Sequence, residues 1–117
     1  MIYTERVYDY DNSKKAFTIL VDRLWPRGIS KEDAFWDEWW REIAPGNELR
    51  KWFAHDKNKW DEFKSRYLEE LKENRELIIQ LKKLEKKHGT VVLLYAARDT
   101  EHNQANIIKE FISQNKD

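Results

Sequence analysis

Cysteine is absent from this 117-residue chain, which excludes disulfides, a thiol nucleophile, thiolate zinc sites and iron–sulfur clusters. Glycine occurs three times, as the isolated Gly28, Gly46 and Gly89, so no Gly-rich loop is present to wrap the phosphates of a nucleoside triphosphate. Net charge is also missing. Lys plus Arg (22) balances Asp plus Glu (22), and the bulk charge therefore favours neither nucleic acid nor an anionic membrane, leaving only local patches to do so. The longest apolar run, Val91 to Ala97, falls far short of the roughly 20 residues that cross a bilayer. The N-terminus carries no cationic segment followed by an apolar stretch. A soluble, cytoplasmic protein without membrane contact is the expectation.

What the chain does have is rings: six Trp, five Tyr and five Phe in a sequence that is 38% charged. The length suits one domain, residues 1–117, burying roughly two-thirds of the unfolded chain's surface around a few large aromatic groups.

The most informative stretch is Val21-Asp22-Arg23-Leu24-Trp25-Pro26-Arg27-Gly28, which follows the strand-like run Phe17 to Asp22. A buried strand ends in an acid, two arginines and a tryptophan, then turns at Pro26 and Gly28. No core requires that set. Arg23 and Arg27 stay charged at any working pH, so each must meet water, a carboxylate or a bound anion.

Elsewhere the pattern is regular. Ile2 to Tyr8 alternates as an edge strand, and the polar connection Asp9 to Lys15, with Asp11-Asn12-Ser13 as turn chemistry, predicts an antiparallel hairpin into the second strand. Ser30-Lys31-Glu32-Asp33 reads as a helix start, and Phe35, Trp36, Trp39, Trp40 and Ile43 as one helical face ending at Pro45-Gly46. A short helix over about 47–53 breaks at Ala54-His55-Asp56. Asp56 then caps a helix striped by Trp60, Phe63, Tyr67, Leu68 and Leu71, and after Asn74 a further helix carries Leu77, Ile78, Leu81 and Leu84 to Gly89. Thr90 to Ala97 is a continuous apolar strand that belongs mid-sheet. Arg98 to Asn103 forms a loop with His102 in the first turn of a last helix, whose apolar residues are Ala105, Ile107, Ile108, Phe111 and Ile112, and the tail 113–117 frays.

Helices between the second and last strands make a crossover, so these two strands are parallel and their carboxyl ends point the same way. The loops after them then share one crevice, where open α/β sheets place ligands. The fold expected is a single α/β domain: about three strands, the last two parallel, with about four or five helices around them.

The runs Arg6-Val7-Tyr8-Asp9, Val21 to Gly28, Ile43-Ala44-Pro45, Leu49 to Phe53 with His55-Asp56, and Leu94 to Asp99 with Glu101-His102-Asn103 closely resemble the YeaO-like family of uncharacterised proteins (domain of unknown function 488). The resemblance covers nearly the whole chain and implies that these stretches work together; it brings no established activity. Gly46 stands where relatives often carry a capping Ser, and Lys57 where many carry Pro.

The leading functional expectation is a site for a small anionic metabolite, phosphate-bearing ones included. Arg23, Arg27 and Arg98 clamp the anion, Asp22 and Asp99 orient these arginines, and Trp25 walls the pocket, with Asn103 also in the ligand set. His102, then His55, together with Asp22 and Asp99, are the candidates for acid/base or hydrolytic chemistry, since imidazole titrates near neutrality. The structural alternative has Asp22 pairing with Arg98 or Arg23, and Trp25 plugging the core. Metal ligation by His55, Asp56, His102 and Asp99 lacks any spacing that fixes two ligands on one helix face, so no metal or cofactor is assigned. The basic run Lys82-Lys83 and Lys86-Lys87-His88 reads as a solvated helix end. The competing function is a non-enzymatic module gripping an acidic protein segment or nucleic acid; an enclosed cleft favours the metabolite, an open spread of arginines the macromolecule. Oligomeric state is not legible.

Overall fold

In a computed structural model, which describes residues 1–11, 13 and 16–114, four strands form one all-parallel sheet. They are β1 (Ile2–Arg6), β2 (Phe17–Leu20), β3 (Glu38–Trp39) and β4 (Val91–Tyr95), in the order β1-β4-β2-β3. The helices are α1 (Asn47–Phe53), α2 (Trp60–Glu73), α3 (Arg75–His88) and α4 (Gln104–Gln114), with single 3-10 turns at Arg41–Ile43 and Lys57–Lys59. The α/β class and the parallel pairing of β2 with β4 agree with the sequence reading.

All five residues of β4 are buried, and its alternation shows why its apolarity is unbroken. Val91, Leu93 and Tyr95 join the core that the helices cover, whereas Val92 and Leu94 face a second cluster with Val7, Tyr10 and Leu20. That second cluster is roofed by Ile29, Phe35 and Trp36 from irregular chain and by Trp39 of β3.

Two expectations are corrected. β1 and β2 are not a hairpin: both run parallel to β4, which lies between them. A strand buried on both faces and uninterrupted in apolarity takes a neighbour on each edge, and this outweighs the short 9–15 connection. Of that connection, Asn12, Lys14 and Lys15 lie outside the described residues, as do residues 115–117 of the expected fraying tail.

The stretch from Ser30 to Ile43 is not an amphipathic helix. The Ser30 hydroxyl does accept the Asp33 amide at 3.2 Å, but the chain leaves that turn and pairs with β2. Asp37 fastens it there, its carboxylate accepting from the Thr18 amide at 2.8 Å and its own amide donating to the Thr18 carbonyl at 3.0 Å. The Trp40 amide then donates to the Leu20 carbonyl at 2.8 Å. The sheet gains a fourth strand as a result.

The segment 42–46, which leads into α1, is anchored by three side chains, one from the loop after β2 and two from α2. The buried Tyr67 hydroxyl donates to the Ile43 carbonyl at 2.6 Å, Arg23 donates to the carbonyls of Ala44 and Pro45 at 3.1 and 3.0 Å, and Glu70 accepts the Gly46 amide at 2.8 Å. A carboxylate of α2 thus serves the start of α1, where Gly46 has no side chain to do so. Asp56 accepts the Asn58 amide at 3.0 Å and so opens the turn that continues into α2.

Candidate functional site

β2 is followed by chain running outward to β3 at one edge, while β4 is followed by α4, which packs over β4 and β1 toward the other. Between β2 and β4 the chain therefore leaves in opposite directions, and a crevice opens at their carboxyl ends. Residues 22–27 and 96–104 face each other across it, and α1 with the turn after it forms the remaining wall. The cleft has a volume of about 760 Å³.

Every residue proposed for the site from sequence lines this cleft: Asp22, Arg23, Trp25 and Arg27 from the first loop, Arg98, Asp99, His102 and Asn103 from the second, and His55 from the end of α1. Their connections differ from expectation in several places.

Asp22 and Asp99 do not orient arginines; among the described residues neither makes an ion pair with one. Asp22 is the seam between the loops instead. Its Oδ2 accepts the Ala96 amide at 2.8 Å, and its Oδ1 accepts from the Gln104 amide side chain. Burial pushes the Asp22 carboxyl up to about 6, against the opposing pull of the Ala96 and Gln104 hydrogen bonds.

The arginines fall into two kinds. Arg23 is half-buried, and its Nε and one Nη are spent on the Pro45 and Ala44 carbonyls, which makes it a brace for the cleft wall as well as a lining cation. Arg27 and Arg98 are exposed, and neither side chain bonds to any described residue. The conformation of the first loop is set from its backbone. The Tyr8 hydroxyl donates to the Arg27 carbonyl at 2.7 Å, and Gly28 adopts a left-handed φ of 85° that completes the turn.

Trp25 combines both of its expected roles. It lines the cleft, yet its indole N–H donates to the Ile29 carbonyl at 2.6 Å and its ring meets Trp36 and Trp39 edge-on at 5.0 and 5.6 Å. Asn103 is committed internally: it is buried, its Oδ1 accepts the Asn106 amide at 3.1 Å, and its Nδ2 donates to the Asp99 carbonyl at 3.0 Å. It caps α4. His102 consequently lies two residues ahead of α4 rather than in its first turn.

Asp99 accepts the Glu101 and His102 amides, both at 2.9 Å, and its Oδ2 lies 2.9 Å from His102 Nδ1 and 3.7 Å from Lys57 Nζ. The hydrogen bond from the His102 amide, then that from Glu101, holds the carboxyl well below the usual range. An ionised Asp99 can only accept, so His102 donates through Nδ1–H, and Nε2 carries the lone pair of the neutral ring. Trp60 packs edge-on against that imidazole at 5.1 Å. His55 is exposed and follows Ala54; both residues are left-handed, with φ of 58° and 46°. Two successive non-glycine residues in that region turn the chain sharply off α1 and present His55 at the cleft rim.

Sequence reasoning missed Arg50, Lys51 and Lys57, which bring cations from α1 and the turn beyond it, and Gln104, which holds Asp22. The signal for the first two was their place beside Trp52-Phe53, where α1 buries Leu49 and Phe53 and leaves its other face to polar groups. Arg50 Nε is buried without a hydrogen-bond partner among the described residues. No three His, Asp or Glu side chains among the described residues cluster so as to hold a metal ion, and no described helix is long and apolar enough to cross a membrane.

Comparison with known proteins gives a consistent picture. The family model described as the inactive DUF488-N3 subclade matches residues 1–117. The uncharacterized protein YeaO of Escherichia coli K12 is 40% identical over 111 residues, covering 95% of this chain and 96% of the relative. The uncharacterized protein Rv3073c of Mycobacterium tuberculosis H37Rv is 35% identical over 108 residues, covering 92% and 90%. No solved structure gives a significant match.

Proposed function

The chain belongs to the YeaO-like DUF488 family, in its inactive DUF488-N3 subclade, and we propose that it binds a small anionic metabolite in the cleft between the β2 and β4 loops without turning it over. One observation carries this reading. Six cationic side chains, Arg23, Arg27, Arg50, Lys51, Lys57 and Arg98, line a cleft that holds two carboxylates, of which one is pushed toward neutrality. Arg27 and Arg98 have no side-chain partner among the described residues, and a guanidinium is the side chain best shaped to grip phosphate or carboxylate. Each charge-assisted hydrogen bond contributes about 1.5–3 kcal/mol, so two of them give a dissociation constant in the millimolar to tens-of-micromolar range.

Binding is favoured over catalysis by what the walls lack. Among the residues lining the cleft there is no Ser, Thr or Cys to act as a nucleophile, and the subclade is described as inactive. A second reading, proton transfer, draws on the 2.9 Å contact between Asp99 and His102, which supports an imidazole base. The alternative of an interaction module receives less support, since the cations line a recess rather than an open face.

A thermal-shift screen of phosphate, sulfate, dicarboxylates and a short oligonucleotide against the wild type and Arg98→Ala tests the proposal. An anion present at ten times its Kd adds about 1.4 kcal/mol, which raises Tm by about 6 °C. The wild type should respond and the variant should not. A flat wild-type response, or an equal response in both, rules the reading out; a shift given by an oligonucleotide alone transfers support to the interaction module.

A further inference from the structure

We propose that the ligand of this cleft is an organic anion with an aromatic or otherwise flat apolar body, its dianionic head held by Arg27 and Arg98 and its body by Leu24 and Tyr8. The inference rests on the anion-binding reading above and narrows it to a substrate class.

The walls that carry the charge are also apolar. Of the five large hydrophobic side chains exposed among the described residues, Leu24 at 59% and Tyr8 at 41% line this cleft, whereas Met1, Tyr3 and Ile79 lie elsewhere. An isolated exposed Leu needs no explanation. Here, however, Leu24 stands beside Arg23 and close to Arg27 on a loop whose backbone is pinned by Tyr8, through the 2.7 Å bond to the Arg27 carbonyl. Both exposed apolar groups and a guanidinium without a partner among the described residues are therefore tied together by this bond. The Arg6 guanidinium sits 4.6 Å from the centre of the Tyr8 ring and stacks one of its faces. Deeper in the cleft, Phe53 and Phe63 stack at 4.1 Å and both belong to its lining.

Size points the same way. A cleft of about 760 Å³ falls within the roughly 300–1,000 Å³ typical of sites for organic ligands. An inorganic ion bound at Arg27 and Arg98 leaves Leu24 and Tyr8 in water, whereas an anion carrying a flat apolar body covers them and gains their burial. The surplus of cations over carboxylates favours a head with two negative charges, and a phosphate monoester and an aromatic dicarboxylate both offer one.

The experiment is calorimetric titration of the full chain with inorganic phosphate, phenyl phosphate, phthalate and uncharged benzyl alcohol, repeated with Leu24→Ala. Leu24 is exposed, so the variant should keep the wild-type melting temperature, which is measured alongside. The wild type should bind phenyl phosphate, phthalate or both at least about tenfold more tightly than inorganic phosphate, and Leu24→Ala should remove about tenfold of that advantage while leaving phosphate binding unchanged. Whichever probe is tighter identifies the head as phosphate or dicarboxylate. Equal binding of phosphate and both aromatic anions overturns this inference and leaves the anion site standing. Benzyl alcohol binding as tightly as phenyl phosphate, or no binding by any anion, overturns both.

Discussion

Asp22 and Ala96, separated by 74 positions, are joined by a 2.8 Å hydrogen bond from the Ala96 amide to the Asp22 carboxylate. This bond closes the crevice between β2 and β4 from below, and it places a half-buried acid under a cluster of cations. Its consequences are open to measurement.

The first concerns stability. Because the folded pKa of Asp22 lies near 6, above the ordinary 3.8, the native state holds this proton more tightly than the unfolded chain. Asp22 therefore imposes a penalty that is absent below about pH 4, grows between 4 and 6, and is complete above 6, with an upper bound of about 3 kcal/mol. Asp22→Asn should match the wild type at pH 4 and gain on it at pH 7, by about 1–3 kcal/mol in urea unfolding. A variant less stable than the wild type at pH 7 would contradict this assignment.

The second concerns binding. Protonating Asp22 raises the positive surplus of the cleft, so affinity for sulfate, whose own charge does not change over this range, should rise as pH falls from 7.5 to 5. Asp22→Asn should bind more tightly than the wild type at pH 7.5 and show a flatter profile. Parallel profiles in the two proteins would remove Asp22 from the electrostatics of the site.

The two kinds of arginine should separate in mutants. Arg23→Ala strips hydrogen bonds from the Ala44 and Pro45 carbonyls and should lower stability by about 2–3 kcal/mol. Arg98→Ala, at an exposed position without a partner among the described residues, should change stability by less than about 0.5 kcal/mol while weakening anion binding by about tenfold or more. Urea midpoints and calorimetry on both variants decide the matter.

Glu70 substitutes for a cap at the start of α1. Glu70→Ala should cost about 1–2 kcal/mol, and Glu70→Gln, which keeps an acceptor for the Gly46 amide, should recover much of that. If both variants lose the same amount, the 2.8 Å bond is not what stabilises this junction.

At the opposite end of α1, Ala54 occupies the left-handed region with φ 46°. Glycine has no Cβ to crowd the carbonyl there, so Ala54→Gly should stabilise the protein by about 0.5–1 kcal/mol. A loss of stability on thermal unfolding would show that the Ala54 methyl contributes packing that outweighs the strain.

Much of this arrangement is legible in the residues, and the failures have definite causes. The unbroken apolarity of Val91 to Tyr95 implied a central strand, and the crossover implied that its tip would lie beside that of β2; those two inferences suffice to bring Asp22, Arg27 and Arg98 together. The region from Phe35 to Ile43 misleads because Trp36, Trp39, Trp40 and Ile43 recur at helical spacing. In the fold Trp39 and Trp40 pack into opposite clusters, as neighbours on a strand do, and the aromatic run roofs a sheet face whose cluster includes no residue of a described helix. Nothing in a one-dimensional pattern states which face will lack a helix. The roles of the site residues were harder still. Asp22 was expected to meet a guanidinium, yet its partners are a backbone amide and Gln104, because the buried tip of β4 presents an N–H that only a nearby acceptor can satisfy. Lys51 entered the cleft through α1 and Lys57 through the turn beyond it, and the direction of both depends on how Arg23, Tyr67 and Glu70 hold the segment before α1.

The most direct test of an anion site between the β2 and β4 loops is an amide and indole NMR titration of the wild-type chain with phenyl phosphate. The account predicts saturable shifts at residues 22–28, 50–57 and 96–104 and at the Trp25 indole N–H, with the basic end of α3 at Lys82 to His88 unmoved. Shifts centred on that basic end, or scattered over the surface without saturation, would contradict it.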